Sequence, residues 1–278
     1  MEAGSNGLGV FYILSGFLAF FSLDKYKGNI KSWIAGRLWR ILPMYYFAVI
    51  VYMIFYEFIV KSVPEDPNKI KWLAYFLGIN TILKKNPGIW YNVGALSSMS
   101  VFMWFYILAP FIRKVVTTWK RALAFFAVCY IALRLLQYTE WLTMFRAYYY
   151  FALGILIFYA IKEKREKITG SLFAAGIMFL LLADARGGLV YALAVGILML
   201  LAYNMSVPGE GRVISFLSNR TFAIYIGHAM AIEIVSKLMD EINAGSTILM
   251  IVIAIVAITV LYEVFDKGAR KLSAKLRH

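Results

Sequence analysis

The sequence predicts an all-α protein, a polytopic bundle of transmembrane helices, and three observations carry that prediction. Hydrophobic residues make up 62% of the 278-residue chain and charged ones only 16%, whereas a soluble domain is about 45–50% apolar and about 25% charged. A globule in water must cover itself with polar groups, and this composition leaves too few to do so. The apolar residues run in continuous stretches rather than alternating, which fits helices and rejects a transmembrane barrel. The Lys and Arg residues, 29 against 15 Asp and Glu for a net charge of +14, cluster in short segments between those stretches. A soluble enzyme, a disordered chain and a collagen-like chain are excluded, and a lone cysteine, Cys129, excludes a disulfide framework and any multi-cysteine metal site.

Lipid offers no partner to free backbone groups, so each crossing must be helical, and a bilayer core of about 30 Å takes roughly 20 mostly apolar residues. Nine stretches meet this in order: 7–23, 41–60, 93–112, 121–136, 147–161, 168–183, 188–204, 219–236 and 246–264, the shorter ones extending into their flanks. A tenth, Trp72 to Leu83, is half a span long and bracketed by Lys69, Lys71, Lys84 and Lys85, so 72–83 is expected to be a short re-entrant or interfacial helix. With the N-terminus outside and 72–83 not crossing, the segments 24–40, 113–120, 162–167 and 205–218 and the C-terminal tail fall inside. Together with Arg121 and Arg220 at the adjoining span edges, they carry 20 of the 29 basic residues. That is the positive-inside pattern; a crossing at 72–83 would invert it in every later loop.

The expected setting is a cell (plasma) membrane, multi-pass, with the C-terminus cytoplasmic. Only about six polar residues precede the first span, and no cleavable signal peptide does. One more helix in front would bring both termini inside, so the chain is expected to be short at its N-terminus. No fixed-period repeat, low-complexity tract or long linker divides it, and 1–278 reads as one domain. The charge is spread over inter-helix loops rather than along one amphipathic face, so nucleic acid is not an expected partner. Orientation and contact with anionic lipid, worth about 1 kcal/mol per basic residue near the surface, account for it.

No Gly-rich phosphate loop, His-Glu-x-x-His run or Gly-x-Ser-x-Gly elbow appears. Of two histidines, His278 is terminal and His228 sits mid-span in Tyr225-Ile226-Gly227-His228. An imidazole in lipid is costly unless paired, which marks His228 as a functional candidate; the plainer reading is a His that hydrogen-bonds a neighbouring helix. Arg37 and Arg40, in Arg37-Leu38-Trp39-Arg40-Ile41-Leu42-Pro43, lie where loop is expected to meet helix. At i and i+3 they share one helix face, and their forked donors suit phosphate, although snorkelling and anchoring would also place them there. Glu57, Arg134, Arg146, Asp184, Arg186, Glu233 and Glu263 are the other intramembrane or edge polar groups. Glu233, some 140° round the helix from His228, does not share its face. Gly154, Ala174, Ala175, Gly176 and Gly196 are expected at helix crossings, where small residues let backbones approach.

Several segments together resemble the acyltransferase-3 family of integral membrane acyltransferases. Leu8-Gly9-Val10-Phe11-Tyr12-Ile13-Leu14-Ser15-Gly16-Phe17-Leu18 is similar to its Gly-Val-acid-x-Phe-Phe-x-Leu-Ser-Gly-Phe-Leu segment. Arg37, Arg40, Ile41 and Pro43 match its Arg-x-x-Arg-Ile-x-Pro. Gly94–Leu96 to Phe105–Pro110 resembles its Trp-x-x-Ser-Val-Glu-x-x-Phe-Tyr-x-Leu-x-Pro helix, Tyr150–Gly154 its Phe-x-x-Gly helix, and Tyr225–His228 its Tyr-Leu-x-His. The resemblance implies about ten helices, one more than counted here, the extra one being the family's first helix with its catalytic His; nothing in Met1–Gly7 supplies that residue. It implies transfer of an acyl group, often acetyl from cytoplasmic acetyl-CoA, to a hydroxyl of a cell-surface carbohydrate or lipid-linked precursor. No tightly bound cofactor or metal is implied, acyl-CoA being a cosubstrate. Arg37, Arg40, Ser15 and Tyr106 are the implied substrate-binding residues and His228 the surviving candidate for a catalytic one. The chain departs from the family pattern at Gly9, where an acid is expected, and at Ser97 and Phe102, which replace Trp and Glu. A non-catalytic member of the same fold, handling polysaccharide or serving as a partner protein, is the alternative. A transporter or flippase ranks third, because 72–83 has no counterpart in the second half.

Overall fold

The computed structural model describes residues 3–54, 70–82, 94–136, 143–183, 187–205, 224–225, 235, 250–257, 259–261 and 263–264. Among these the only regular structure is helical. The helices are α1 Ala3–Lys25, α2 Ile30–Ile54, α3 Ile70–Phe76, α4 Gly94–Val115, α5 Trp119–Leu136, α6 Tyr148–Lys162, α7 Glu166–Leu182 and α8 Gly188–Asn204, with a 3₁₀ turn at Thr143–Ala147 before α6. The described residues between 250 and 264 are helical too. The expected span at 219–236 lies almost wholly outside the described residues.

Most boundaries fall within a few residues of the expected spans, but α2 does not. It begins at Ile30, eleven residues before the apolar stretch, because Asn29 caps it: the Asn29 side-chain oxygen accepts from the Lys31 backbone N–H at 2.9 Å. Arg37 and Arg40 therefore lie inside a continuous helix, not where a loop meets one. Pro43, also inside α2, has no N–H to offer the Trp39 carbonyl, which weakens the ladder there. In the segment 72–83 the helix α3 has seven residues and then turns through Gly78 in the left-handed conformation. Seven residues rise about 10 Å, too little to cross a bilayer.

Three described helices are long and apolar enough to cross a membrane, namely Leu8–Lys25, Ile30–Ile54 and Leu96–Val115. The count of nine is not reached among the described residues: α6 to α8 have 15 to 17 residues and so rise about 22–26 Å, and α5, with 18, includes Lys120, Arg121 and Arg134. The outer faces of α5, α7 and α8 are nonetheless apolar: Phe179, Leu182, Leu198 and Val128 are all more than 60% exposed. Such a surface is a liability in water and suits lipid.

The chain forms two compact units, one of residues 1–36, 81–85 and 101–208, the other of residues 37–80, 86–100 and 209–278. In the first, α6 is the centre: Tyr148 to Ala160 are all buried, with α1, α5, α7 and α8 packed around it. The approach of α1 to α6 depends on two glycines. A Cβ on Gly154 would lie 2.0 Å from the Ile13 carbonyl oxygen, and one on Gly16 would lie 2.2 Å from the Phe151 carbonyl oxygen. Gly196 faces the Phe173 ring and Gly176 the Leu193 side chain, as expected of crossing residues. Ala174 and Ala175 are exposed instead. Adjacent helix positions differ by about 100°, so a run of three small residues cannot all face one neighbour.

Candidate functional site

In the second unit, α2 carries Arg37, half-buried, and Arg40, exposed, one turn apart on the same helix. The helix α4 brings Ser97, Ser98 and Ser100 into that unit. Tyr45 of α2 donates its hydroxyl to the Tyr75 carbonyl and shares a second hydrogen bond with Ser100 Oγ at 3.3 Å. Ser100 donates to Asn80 Oδ1 at 2.6 Å, and Asn80 Nδ2 donates to Ser97 Oγ at 3.1 Å. Tyr45, Ser100 and Asn80 are all buried. Away from water, polar groups need one another, and this chain of hydroxyls and amide satisfies itself.

Ser98 Oγ shares a hydrogen bond of 2.9 Å with the Tyr225 hydroxyl. Tyr225 opens the Tyr-Ile-Gly-His run, so the segment that ends in His228 is anchored at its first residue to the motif-bearing helix α4. His228 itself lies outside the described residues, as do Glu57, Asp184, Arg186 and Glu233. Asn80 had a legible signal, an amide side chain within the apolar run 72–83, where Thr81 beside it is the one other strongly polar side chain. Tyr45 and Ser98 had none, because aromatic hydroxyls and serines are common in lipid-facing helices.

Ser15 and Tyr106 belong to the first unit. Ser15 is half-buried on α1 beside Gly16. Tyr106 is buried on α4, edge-on to Trp33 at 6.2 Å, and the Trp33 indole donates to Ser22 Oγ at 3.0 Å. The structure thus pairs Arg37 with Arg40 on one helix and places Ser15 and Tyr106 among the residues of the other unit.

Of the three positions that depart from the family pattern, Ser97 accepts from Asn80 in the second unit, while Gly9 and Phe102 share one environment in the first. Phe102 stands 4.6 Å from Tyr12 and 5.7 Å from Phe151, ring to ring, and Phe151 stacks on Phe105 at 3.9 Å. A Cβ on Gly9 would lie 2.7 Å from the Tyr150 ring, and Tyr150 is 6.3 Å from Tyr12. Both places where the pattern has a carboxylate are occupied by one packed aromatic cluster, with aromatic pairs at the separations that favour edge and offset contacts. An ionised group there would be buried among rings.

At one end of the first unit, Asp24 accepts from Arg113 at 2.7 Å and from Lys162 at 2.5 Å, joining the ends of α1, α4 and α6. Arg113 also donates to the Tyr159 hydroxyl at 2.5 Å, and Tyr159 donates to the Val116 carbonyl at 2.6 Å. No group of three or more His, Cys, Asp or Glu able to hold a metal occurs among the described residues.

Neither a curated protein nor a solved structure matches the chain. A family model does, over residues 2–263, and it describes an acyltransferase domain. It spans the α1 segment, the Arg37–Pro43 run, the α4 motif and the Tyr225–His228 run, and the chain belongs to that family of membrane acyltransferases, the acyltransferase-3 family.

Proposed function

We propose that the chain transfers an acetyl group from acetyl-CoA to a hydroxyl of a cell-surface carbohydrate or lipid-linked precursor. It does so as one domain with about nine spans in the plasma membrane, its N-terminus outside and its C-terminus in the cytoplasm. The observation that carries the reading is the Arg37/Arg40 pair, kept on one face of α2 in the unit where Tyr225 ties the His228 segment to Ser98. Forked guanidiniums suit the diphosphate and phosphate of the donor. His228 acts as general base: it takes the acceptor hydroxyl proton as the oxygen attacks the thioester carbonyl. The C–O bond forms, the C–S bond breaks, and the proton passes to the departing thiolate, which His suits near neutral pH. Ser15 and Tyr106 contact the substrates. The test is acetyl transfer from labelled acetyl-CoA in proteoliposomes supplied with envelope glycan. Arg37→Gln/Arg40→Gln is expected to raise KM for acetyl-CoA roughly tenfold or more, each lost charge-assisted contact being worth about 1.5–3 kcal/mol. An unchanged KM contradicts the assignment.

One observation favours a second reading. Gly9 and Phe102 fill with aromatic packing the two places where the pattern has acids, which supports a non-catalytic member that handles polysaccharide or serves a partner. Acetyl-CoA turnover by the purified protein, lost on His228→Ala, would overturn it.

A further inference from the structure

The end of the first unit where α4 meets α5 and α6 meets α7 carries more positive charge than its acids can neutralise. The two turns are locked side by side through Trp119. Its backbone N–H donates to Glu163 Oε1 at 2.7 Å and its indole to Thr169 Oγ1 at 2.9 Å, while the Arg165 guanidinium lies 5.4 Å from its ring centre. Between them, Lys164 is held in the left-handed conformation, φ 56°, unusual for a residue with a side chain. The acids are taken from within: Asp24 by Arg113 and Lys162, and Glu163 by Trp119 and by Arg165 at 3.8 Å. Lys114, Lys120, Arg121, Lys164 and Lys167 remain exposed around this node, with Glu166 the one further acid on these turns among the described residues. Beside these cations, on the helices that lead away from them, Phe111 and Val115 of α4 are 57% and 69% exposed, and Ile168 and Leu172 of α7 are 50% and 47% exposed.

Exposed cations on braced turns beside uncovered apolar surface fit a ligand that is anionic at one end and hydrocarbon at the other. We propose that this face holds an anionic phospholipid, its phosphate among Lys120, Arg121, Lys164 and Lys167 and its acyl chains along Phe111, Val115, Ile168 and Leu172. Orientation in a membrane requires only that basic residues lie on one side; it does not require two turns cross-braced by a buried indole. The site stands whether or not the chain transfers an acyl group.

The test is native mass spectrometry of the full chain in nonionic detergent with equal amounts of phosphatidylglycerol and phosphatidylcholine. Phosphatidylglycerol is expected to be retained in preference, and the Lys120→Gln/Arg121→Gln/Lys164→Gln/Lys167→Gln variant to lose that preference by roughly a hundredfold or more, near-surface charges each contributing about fivefold. Arg134→Gln, near the other end of α5, should leave the preference unchanged. The pair Lys120→Gln/Lys164→Gln, which breaks no described ion pair, should show a partial loss and serves if the fourfold variant does not fold. Equal retention of both lipids, an unaltered preference in the variants, or displacement of phosphatidylglycerol by millimolar inorganic phosphate would overturn the proposal, the last in favour of a soluble phosphate ligand.

Discussion

Replacing Gly154 by alanine places a methyl carbon 2.0 Å from the Ile13 carbonyl oxygen and 2.8 Å from the Phe17 nitrogen. Ordinary contact begins at 3.4 Å, so the clearance falls short by about 1.4 Å. Both obstructing atoms are backbone and cannot rotate away, so α1 and α6 must part. Overpacking a close interface costs typically 1–3 kcal/mol, and a clash with backbone belongs at the upper end, about 3 kcal/mol. At about 2–4 °C per kcal/mol for a chain of this size, the melting temperature should fall roughly 6–12 °C. The assay follows a thiol-reactive fluorophore on Cys129, buried on α5 and the chain's one cysteine, during heating in detergent. Gly170→Ala is the control: nothing lies within 4 Å of its added Cβ, so it should melt at or above wild type through a helix-propensity gain of about 0.5–1 kcal/mol. A Gly154→Ala protein that melts with wild type would refute the reasoning about the α1–α6 crossing.

Three further outcomes follow from the other contacts. Asn80→Ala leaves Ser100 and Ser97 without their amide partner and should cost about 1–3 kcal/mol in the same melting assay; an unchanged melt would show that the network contributes nothing. Phe102→Glu puts a carboxylate among Tyr12 and Phe151 with no described cation beside it, and should destabilise by more than Phe102→Leu, which costs roughly 1–3 kcal/mol by loss of ring contacts; a Glu variant as stable as the Leu variant would contradict the description of a dry aromatic core. Asp24→Asn weakens the salt links to Arg113 and Lys162 and should cost about 1 kcal/mol at low salt, an effect that shrinks as screening rises; a loss independent of salt would point to packing instead.

The helices were legible because the sequence is written in apolar stretches, and α1, α4, α6, α7 and α8 begin and end within a few residues of them. The start of α2 was not, because hydropathy is blind to a polar first turn, and the signal was the Asn29 cap. The Gly154 crossing was visible as a small residue, while its partner Gly16 was read only as part of a motif; reciprocity between two glycines on different helices is a fact of three dimensions. That Arg37 and Arg40 share one helix face was legible from spacing alone, whereas their place inside a continuous helix was not. What organises the α4 motif was not, since Asn80, Tyr45 and Tyr225 come from three distant stretches that sequence does not bring together. The replacement of Glu by Phe102 was visible as a departure; that Gly9 departs into the same aromatic cluster became clear only from the packing of Tyr12 and Tyr150.

The most direct measurement is acetyl-CoA turnover by the purified wild-type chain and by His228→Ala in proteoliposomes, with free thiol release as the readout and folding checked by the melt of Cys129. The account predicts thiol release by wild type that rises when acceptor glycan is added and falls roughly a hundredfold or more when the imidazole is removed, as loss of a general base requires. Release that is absent in wild type, or that survives in a folded His228→Ala protein, would contradict it.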